Sequence, residues 1–416
     1  MHLTTPRLLV FSSLFPSAAA PHAGVFIRER MFRVGKHLPI VVVAPQPWFP
    51  GQGLIRWFRP HFRPMAPTRE AMDGIVVHRP RFLCIPGVLK WSDGLFMALS
   101  SFFVVRRVAR DHRANVIDAH FAYPDGYAAV LLGRWLKLPV MVTLRGKEER
   151  QTRTNVARGL RRAITGADQM IAVSASLQVL AIEQGASPAR VQVIGNGVDL
   201  SRFTAVPRED ARRHFGLPVD AKVLISVGTL VERKGFHRVI ECLPGLLAEH
   251  PALHLMVVGG AGVEGDIGAQ LKSMVRTIGL DDRVHFVGPL PHNRLNLALS
   301  AADVFVLATS YEGWANVFLE AMGCGLPVVT TDVGGNAQVV NDRSLGFIVP
   351  FGDTGRLQHA IDEALSTPWD PKVIRSYAES NSWDQRMQAL IDAYHQLVSR
   401  GRKQQAQARA EIDRAR

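Results

Sequence analysis

Residues 302–335 read ADVFVLATSYEGWANVFLEAMGCGLPVVTTDVGG. The apolar run Val304-Phe305-Val306-Leu307 ends near Thr309-Ser310, the pattern of a buried strand entering a turn. Good helix formers at 318–322 follow Glu312 and Gly313, and Gly323-Cys324-Gly325 closes that stretch. A second apolar run at 327–331 stops at the pair Gly334-Gly335. Strand, helix and strand with a right-handed crossover make one unit of a parallel sheet. Sheets of that kind bind ligands at the carboxyl ends of their strands. Glu312 falls just past one strand end and Glu320 inside the following helix. At about 100° per residue they are roughly 80° apart around one axis, so both carboxylates can address one ligand. The blander reading makes Glu312 a loop residue and Glu320 a solvated helix charge. The glycines around the pair weigh against it.

The same alternation runs outward in both directions. Apolar strands are expected at 223–227, 255–259, 284–287, 328–331 and 347–349 in the second half. In the first half they are expected at 8–12, 40–44, 75–78, 116–118, 139–144, 170–173 and 191–194, with helices between. A chain of 416 residues exceeds the size at which single cores stop growing, about 250–300 residues. The expected organisation is an α/β protein of two doubly wound, Rossmann-like domains, 1–203 and 204–382. The pattern pauses at 198–207, as a linker would. An amphipathic helix is expected at 383–398, and 399–416 reads as a polar tail that frays.

The formal net charge is +13, and it is uneven. Residues 1–170 hold 25 Lys and Arg against 10 Asp and Glu, and the remainder holds 24 against 26. A basic half beside a neutral half points to an anionic partner for the first domain: a membrane surface, a phosphate-bearing substrate or nucleic acid. Residues 48–68 carry Pro50, Pro60, Pro64 and Pro67 around Trp57-Phe58-Arg59-Pro60-His61-Phe62-Arg63. This segment reads as an exposed basic-aromatic loop without regular helix, suited to a bilayer interface. A helix at 95–113 carries Phe102 and Phe103, then Arg106, Arg107, Arg110 and Arg113.

Three scattered cysteines, Cys84, Cys242 and Cys324, suggest a reducing compartment and give no metal-ligand spacing. The first 23 residues only weakly resemble a secretory signal, because their apolar core is short and contains Ser12 and Ser13. Stretch 94–105 is too short to span a bilayer. The expected location is the cytoplasm, peripheral on the inner face of the cell membrane. Zinc, Ser-His-Asp and P-loop patterns are absent, as is an RNA-binding aromatic-basic spacing. Gly260-Ala261-Gly262-Val263-Glu264-Gly265 fits a dinucleotide glycine pattern. It lies in mid-chain, however, and no acidic residue ends the next strand to hold a ribose.

Taken in order, several motifs resemble the family-4 retaining glycosyltransferases of GT-B fold (glycosyl transferases group 1). They are Gly24 before a helix, Val193-Ile194-Gly195-Asn196-Gly197-Val198-Asp199, Val227-Gly228-Thr229-Leu230-Val231-Glu232-Arg233-Lys234-Gly235, Val284-His285-Phe286-Val287-Gly288, and Glu312 with Glu320. The resemblance covers nearly the whole chain. It implies two Rossmann-like domains facing across a cleft, with the C-terminal helix crossing back to the first. The second domain then holds a UDP- or GDP-sugar and the basic first domain holds the acceptor, lipid-linked or polysaccharide. No cofactor, metal or nucleic acid is implied.

On this resemblance Glu320 accepts hydrogen bonds from the ribose and Glu312 from a hydroxyl of the transferred sugar; one carboxylate can serve two adjacent hydroxyls. Lys234 brings a point charge to the leaving diphosphate, assisted by Arg233. Gly313, Trp314, Ala315, Asn316 and Val317 open a helix whose N-terminus favours phosphate. Gly24 leaves room for donor or acceptor, His120 lies near the donor sugar, and Arg145 meets acceptor or phosphate. Gly228, Gly260 and Val287 complete the donor-binding set. The catalytic group is His120, Glu312 and Lys234. The family usually has Arg where Thr229 stands, so the second charge on the diphosphate is expected from Arg233 or Arg145. Outside the resemblance, Lys234 reads as a surface charge at a helix start and His120 as a satisfied core histidine. The rival functions are a non-catalytic nucleotide-sugar-binding or membrane-scaffold subunit, and a GT-B sugar-nucleotide epimerase.

Overall fold

The computed structural model describes residues 5–414 apart from 22, 59–61, 64, 86 and 263–264. The chain divides into two compact units, 1–195 with 387–416 and 196–386.

The sheet of the first unit runs, edge to edge, Val191–Val193, Gln169–Ala172, Val140–Leu144, Val116–His120, Leu8–Phe11, Ile40–Val43, Ile75–His78 and Arg69–Met72. All neighbours are parallel except the last pair, Arg69–Met72 on Ile75–His78. Leu8–Phe11 is central and fully buried, with Val10 level with Val42 on one side and Asp118 on the other. That places the apolar start of the chain in the core.

The sheet of the second unit runs Val284–Gly288, Leu253–Val258, Lys222–Val227, Val304–Leu307, Val328–Thr331, Gly346–Val349, parallel throughout. Apolar clusters cover both its faces. Strands buried on both sides read as near-continuous Val, Ile and Leu runs, which is why the sequence exposed them. The two-domain, doubly wound α/β expectation is therefore met.

Three local readings change. Gln52–Phe58 is a helix, and no proline falls within those seven residues to break it. Arg59, Pro60 and His61 of that segment lie outside the described residues, as do Val263 and Glu264 of the glycine pattern. The expected linker is folded onto the second unit, where Val198 N donates to Asn381 O at 3.2 Å and Trp383 N to Val198 O at 3.1 Å. The last helix is Trp383–Arg414 and runs on through the expected tail. No helix among the described residues is long and apolar enough to cross a membrane.

Candidate active site

In the second unit the loops leaving Lys222–Val227 and Val304–Leu307 are stitched together. Arg233 O accepts from Ser310 N at 2.8 Å and from Thr309 Oγ1 at 3.1 Å, and Arg238 Nη1 donates to Ala308 O at 2.9 Å. This stitching brings Lys234 Nζ into an ion pair with Glu312 Oε1. Arg233 Nη1 donates to the same oxygen at 3.2 Å and to Tyr311 O at 3.0 Å. Glu312 is buried. The aliphatic stem of Lys234 lies over Gly228, where a Cβ would stand 3.5 Å from its Cδ and Cε. Thr229 is exposed and brings no charge.

The glycine pair that ends residues 302–335 holds the backbone of Glu312. Gly334 has φ 56°, and a Cβ there would come within 1.7 Å of Glu312 O. Gly335 N donates to that same oxygen at 3.2 Å.

Helix Asn316–Gly323 begins after Glu312, so the two carboxylates do not share one helical axis. That corrects the 80° geometry: Glu312 is fixed by the loop, and only Glu320 by the helix. Glu320 Oε1 is 3.1 Å from His292 Nε2. Asn316 Oδ1 accepts from Asn196 Nδ2 at 3.0 Å, and Ala315 supplies no side-chain cap to the helix N-terminus. Gly313 is buried; Trp314, Val317 and Val287 pack partly buried against the core beneath. The indole Nε1 of Trp314 is buried without an acceptor among the described residues. Gly260 lines a cavity of about 320 Å³ with Leu230, Asp266, Lys272 and Phe286, and its carbonyl accepts from Leu230 N at 2.8 Å.

In the first unit, Gly24 precedes helix Val25–Val34 with φ 70°, and a Cβ would stand 2.3 Å from Leu14 O. The backbone itself therefore requires glycine there, a reason beyond the room for a ligand read from the sequence. His120 is fully buried at the end of Val116–His120. Its Nδ1 lies 3.3 Å from Arg145 Nε and 3.1 Å from Arg145 Nη2, while Asp118 Oδ2 stands 3.5 Å from its Nε2. Arg145 also stacks on Phe26, with Cζ 5.1 Å from the ring centre.

Burial, then the charges of Arg145 and Arg30, holds His120 well below its ordinary pKa, so the imidazole is neutral at pH 7. Burial and the nearby Arg30 charge bring Arg145 down to about 9. Burial pushes Asp118 up to about 6 against the opposing hydrogen bond from Tyr394. The structure thus makes two groups of the predicted residues: His120 with Arg145 in the first unit, and Lys234, Arg233 and Glu312 in the second.

Sequence reading missed the residues that hold these groups in place. Buried Glu148 accepts from Ala122 N at 3.2 Å, Arg145 N at 3.2 Å and Gly146 N at 2.7 Å, tying together the loops after the His120 and Leu144 strand ends. Tyr394 Oη donates to Asp118 Oδ2 at 2.8 Å from the C-terminal helix. Asp118 was accessible to reasoning, since a period of 2 puts it on the same strand face as His120. Tyr394, 276 positions away, gave no local signal.

Residues 207–381 match the family "Glycosyl transferases group 1" and residues 57–202 match "Glycosyltransferase Family 4". The chain is 29% identical over 401 residues, 93% of its own length and 95% of the other's, to a protein of Bacillus subtilis (strain 168), TuaC, provisionally named a teichuronic acid biosynthesis glycosyltransferase. It is 34% identical over 245 residues to a D-inositol 3-phosphate glycosyltransferase of Geodermatophilus obscurus, spanning 57% of this chain and 54% of that one. Among solved structures, Anabaena HepE in complex with UDP superposes with TM-score 0.70 at 19% identity, covering 93% of this chain and 98% of that one. The chain belongs to the family-4 glycosyltransferases and has the GT-B fold.

Proposed function

We propose that this protein transfers a sugar from a UDP- or GDP-sugar to a hydroxyl of a lipid-linked or polysaccharide acceptor, with retention at the anomeric carbon and without a metal. The observation that carries this reading is the convergence of Lys234 and Arg233 on the buried Glu312 at the carboxyl end of the second sheet. A cationic pair there matches a leaving diphosphate, and the carboxylate matches a sugar hydroxyl. The relatives support it in kind: TuaC is named for teichuronic acid biosynthesis, and HepE was crystallised with UDP.

In the proposed step the acceptor oxygen bonds to the anomeric carbon on the face from which the phosphate departs. The carbon–oxygen bond to the diphosphate breaks, and the acceptor proton passes to the departing phosphate oxygen. Lys234 neutralises the charge that develops, and Arg233 supplies the second cation missing at Thr229. Glu312 orients the sugar and Glu320 holds the ribose. Neutral His120, unable to repel a cationic sugar carbon, contacts the donor sugar, and Arg145 contacts phosphate or acceptor.

The test is release of UDP or GDP from a panel of sugar nucleotides, with and without lipid acceptor. Lys234→Ala should lower kcat/KM at least 100-fold, about 3 kcal/mol of lost charge stabilisation. Arg233→Ala should give a smaller loss of the same kind. No release from any donor by the wild type would favour a non-catalytic subunit, and unchanged rates in both variants would overturn the site assignment.

A further inference from the structure

Among the described residues, the most exposed aromatic rings lie in the first unit. Trp57 and Phe58 on helix Gln52–Phe58 are 80% and 86% exposed, and Phe103 on helix Asp93–His112 is 76% exposed. Half-exposed Trp91 sits just before that second helix. At about 100° per residue, Leu95, Leu99, Phe102, Phe103, Arg106 and Arg110 fall within a sector roughly 100° wide. The core-facing side of the helix is filled separately by Met97, Ala98, Ser101, Val105 and Val108, so the outward stripe packs on no core. The stripe is apolar in its first half and cationic in its second.

The surface continues onto the neighbouring helix Tyr127–Leu136. Phe102 meets Trp135 edge-on with ring centres 5.7 Å apart, and Phe103 at 5.4 Å. Trp135 is itself half exposed, between exposed Arg134 and Lys137. Exposed Trp and Phe set beside arginines match the interfacial layer of a bilayer, where rings enter the headgroup–acyl boundary and guanidinium groups meet lipid phosphates. The charge of residues 1–170, 25 basic against 10 acidic, favours an anionic surface over a neutral one.

We infer that the first unit docks on an anionic lipid bilayer through the Leu95–Arg110 stripe with Trp91 and Trp135, helped by the exposed rings of helix Gln52–Phe58. The contact has a path to the candidate site within the same unit. Tyr123, in the loop that leaves His120, donates from its hydroxyl to Lys90 O at 2.5 Å and accepts from Gly94 N at 3.3 Å, just ahead of the stripe. Docking therefore sets the loop beside His120 at the lipid surface, where a lipid-linked acceptor hydroxyl would be presented. The docking itself rests on exposure and charge alone; only its use for an acceptor rests on the proposed transfer reaction.

The experiment is flotation of the full-length protein with vesicles of phosphatidylcholine, with and without phosphatidylglycerol. Wild type should float with the anionic vesicles, and raising the salt should cut the bound fraction several-fold. Arg106→Glu with Arg110→Glu should cut it at least fivefold at low salt. Trp57→Ser, Phe58→Ser and Phe103→Ser together should abolish it, while the thermal melt and donor hydrolysis with soluble nucleotides stay at wild-type values. Absence of flotation by the wild type, or wild-type flotation by the triple variant, overturns the inference. So does a concentration-dependent dimer that the triple variant breaks, if it comes without vesicle binding, since the face would then belong to a second copy. Donor hydrolysis in the absence of lipid reports separately on the transfer reading.

Discussion

Lys234 is not a free cation waiting for phosphate: Glu312 already holds it. Under the proposed transfer reaction a diphosphate competes with Glu312 for the ammonium, so that the carboxylate would restrain nucleotide binding as well as orient the sugar. Glu312→Gln keeps the shape and removes the competing charge. It should tighten UDP or GDP binding several-fold by calorimetry while lowering transfer about 100-fold or more. Equal or weaker nucleotide binding in the variant would contradict the competition.

Asp118 gives a pH prediction. Its pKa is raised from 3.8 to about 6 in the folded protein, so the folded state binds the proton more tightly than the unfolded chain does. The contribution from this group is full below pH 3.8 and is lost as pH rises to about 6, amounting to roughly 3 kcal/mol for two units. Asp118→Asn should flatten that fall. The difference in melting temperature between wild type and variant, followed across this window, measures it, and parallel curves would refute the assignment. At this scale the residue types were legible and their pairing was not. Glu312 and Lys234 were each picked from motifs, yet 78 positions separate them, and no local pattern states that they touch.

At the scale of elements, the strands were the most legible features because burial on both faces leaves runs such as Lys222–Val227 and Leu253–Val258 almost wholly apolar. Helix Gln52–Phe58 escaped because Trp, Phe and flanking prolines signal a loop by composition, whereas helix formation depends on where each proline falls. The last helix was legible at its start, where Trp383, Met387, Leu390, Tyr394 and Leu397 recur at helical spacing, and illegible where the composition turns polar. This helix is tied to the His120 strand by one buried hydrogen bond from Tyr394 to Asp118. Tyr394→Phe should cost about 1–3 kcal/mol by leaving a buried carboxylate short of a donor. Chemical denaturation with an unchanged slope would measure it; a loss near zero would mean that Asp118 finds its partner elsewhere.

For the whole molecule, two units and an uneven charge were visible in sequence, and the return of the last helix to the first unit came from the family resemblance rather than from composition or periodicity. That unit is assembled from residues 1–195 and 387–416, the second from one continuous run. Truncation after Arg386 should therefore damage the far end of the chain's map and not the near one. Hydrogen exchange should show protection lost along Val116–His120 and Gln169–Ala172 and kept along Lys222–Val227 and Val304–Leu307. Uniform protection in the truncated protein would argue against this partition.

The same interruption fixes an order of events during synthesis. Everything the second unit needs has been translated before residues 387–416 of the first unit are. The unit begun first is finished last, and until residue 394 emerges, the strand that ends in His120 carries a buried acid without the hydroxyl that completes it.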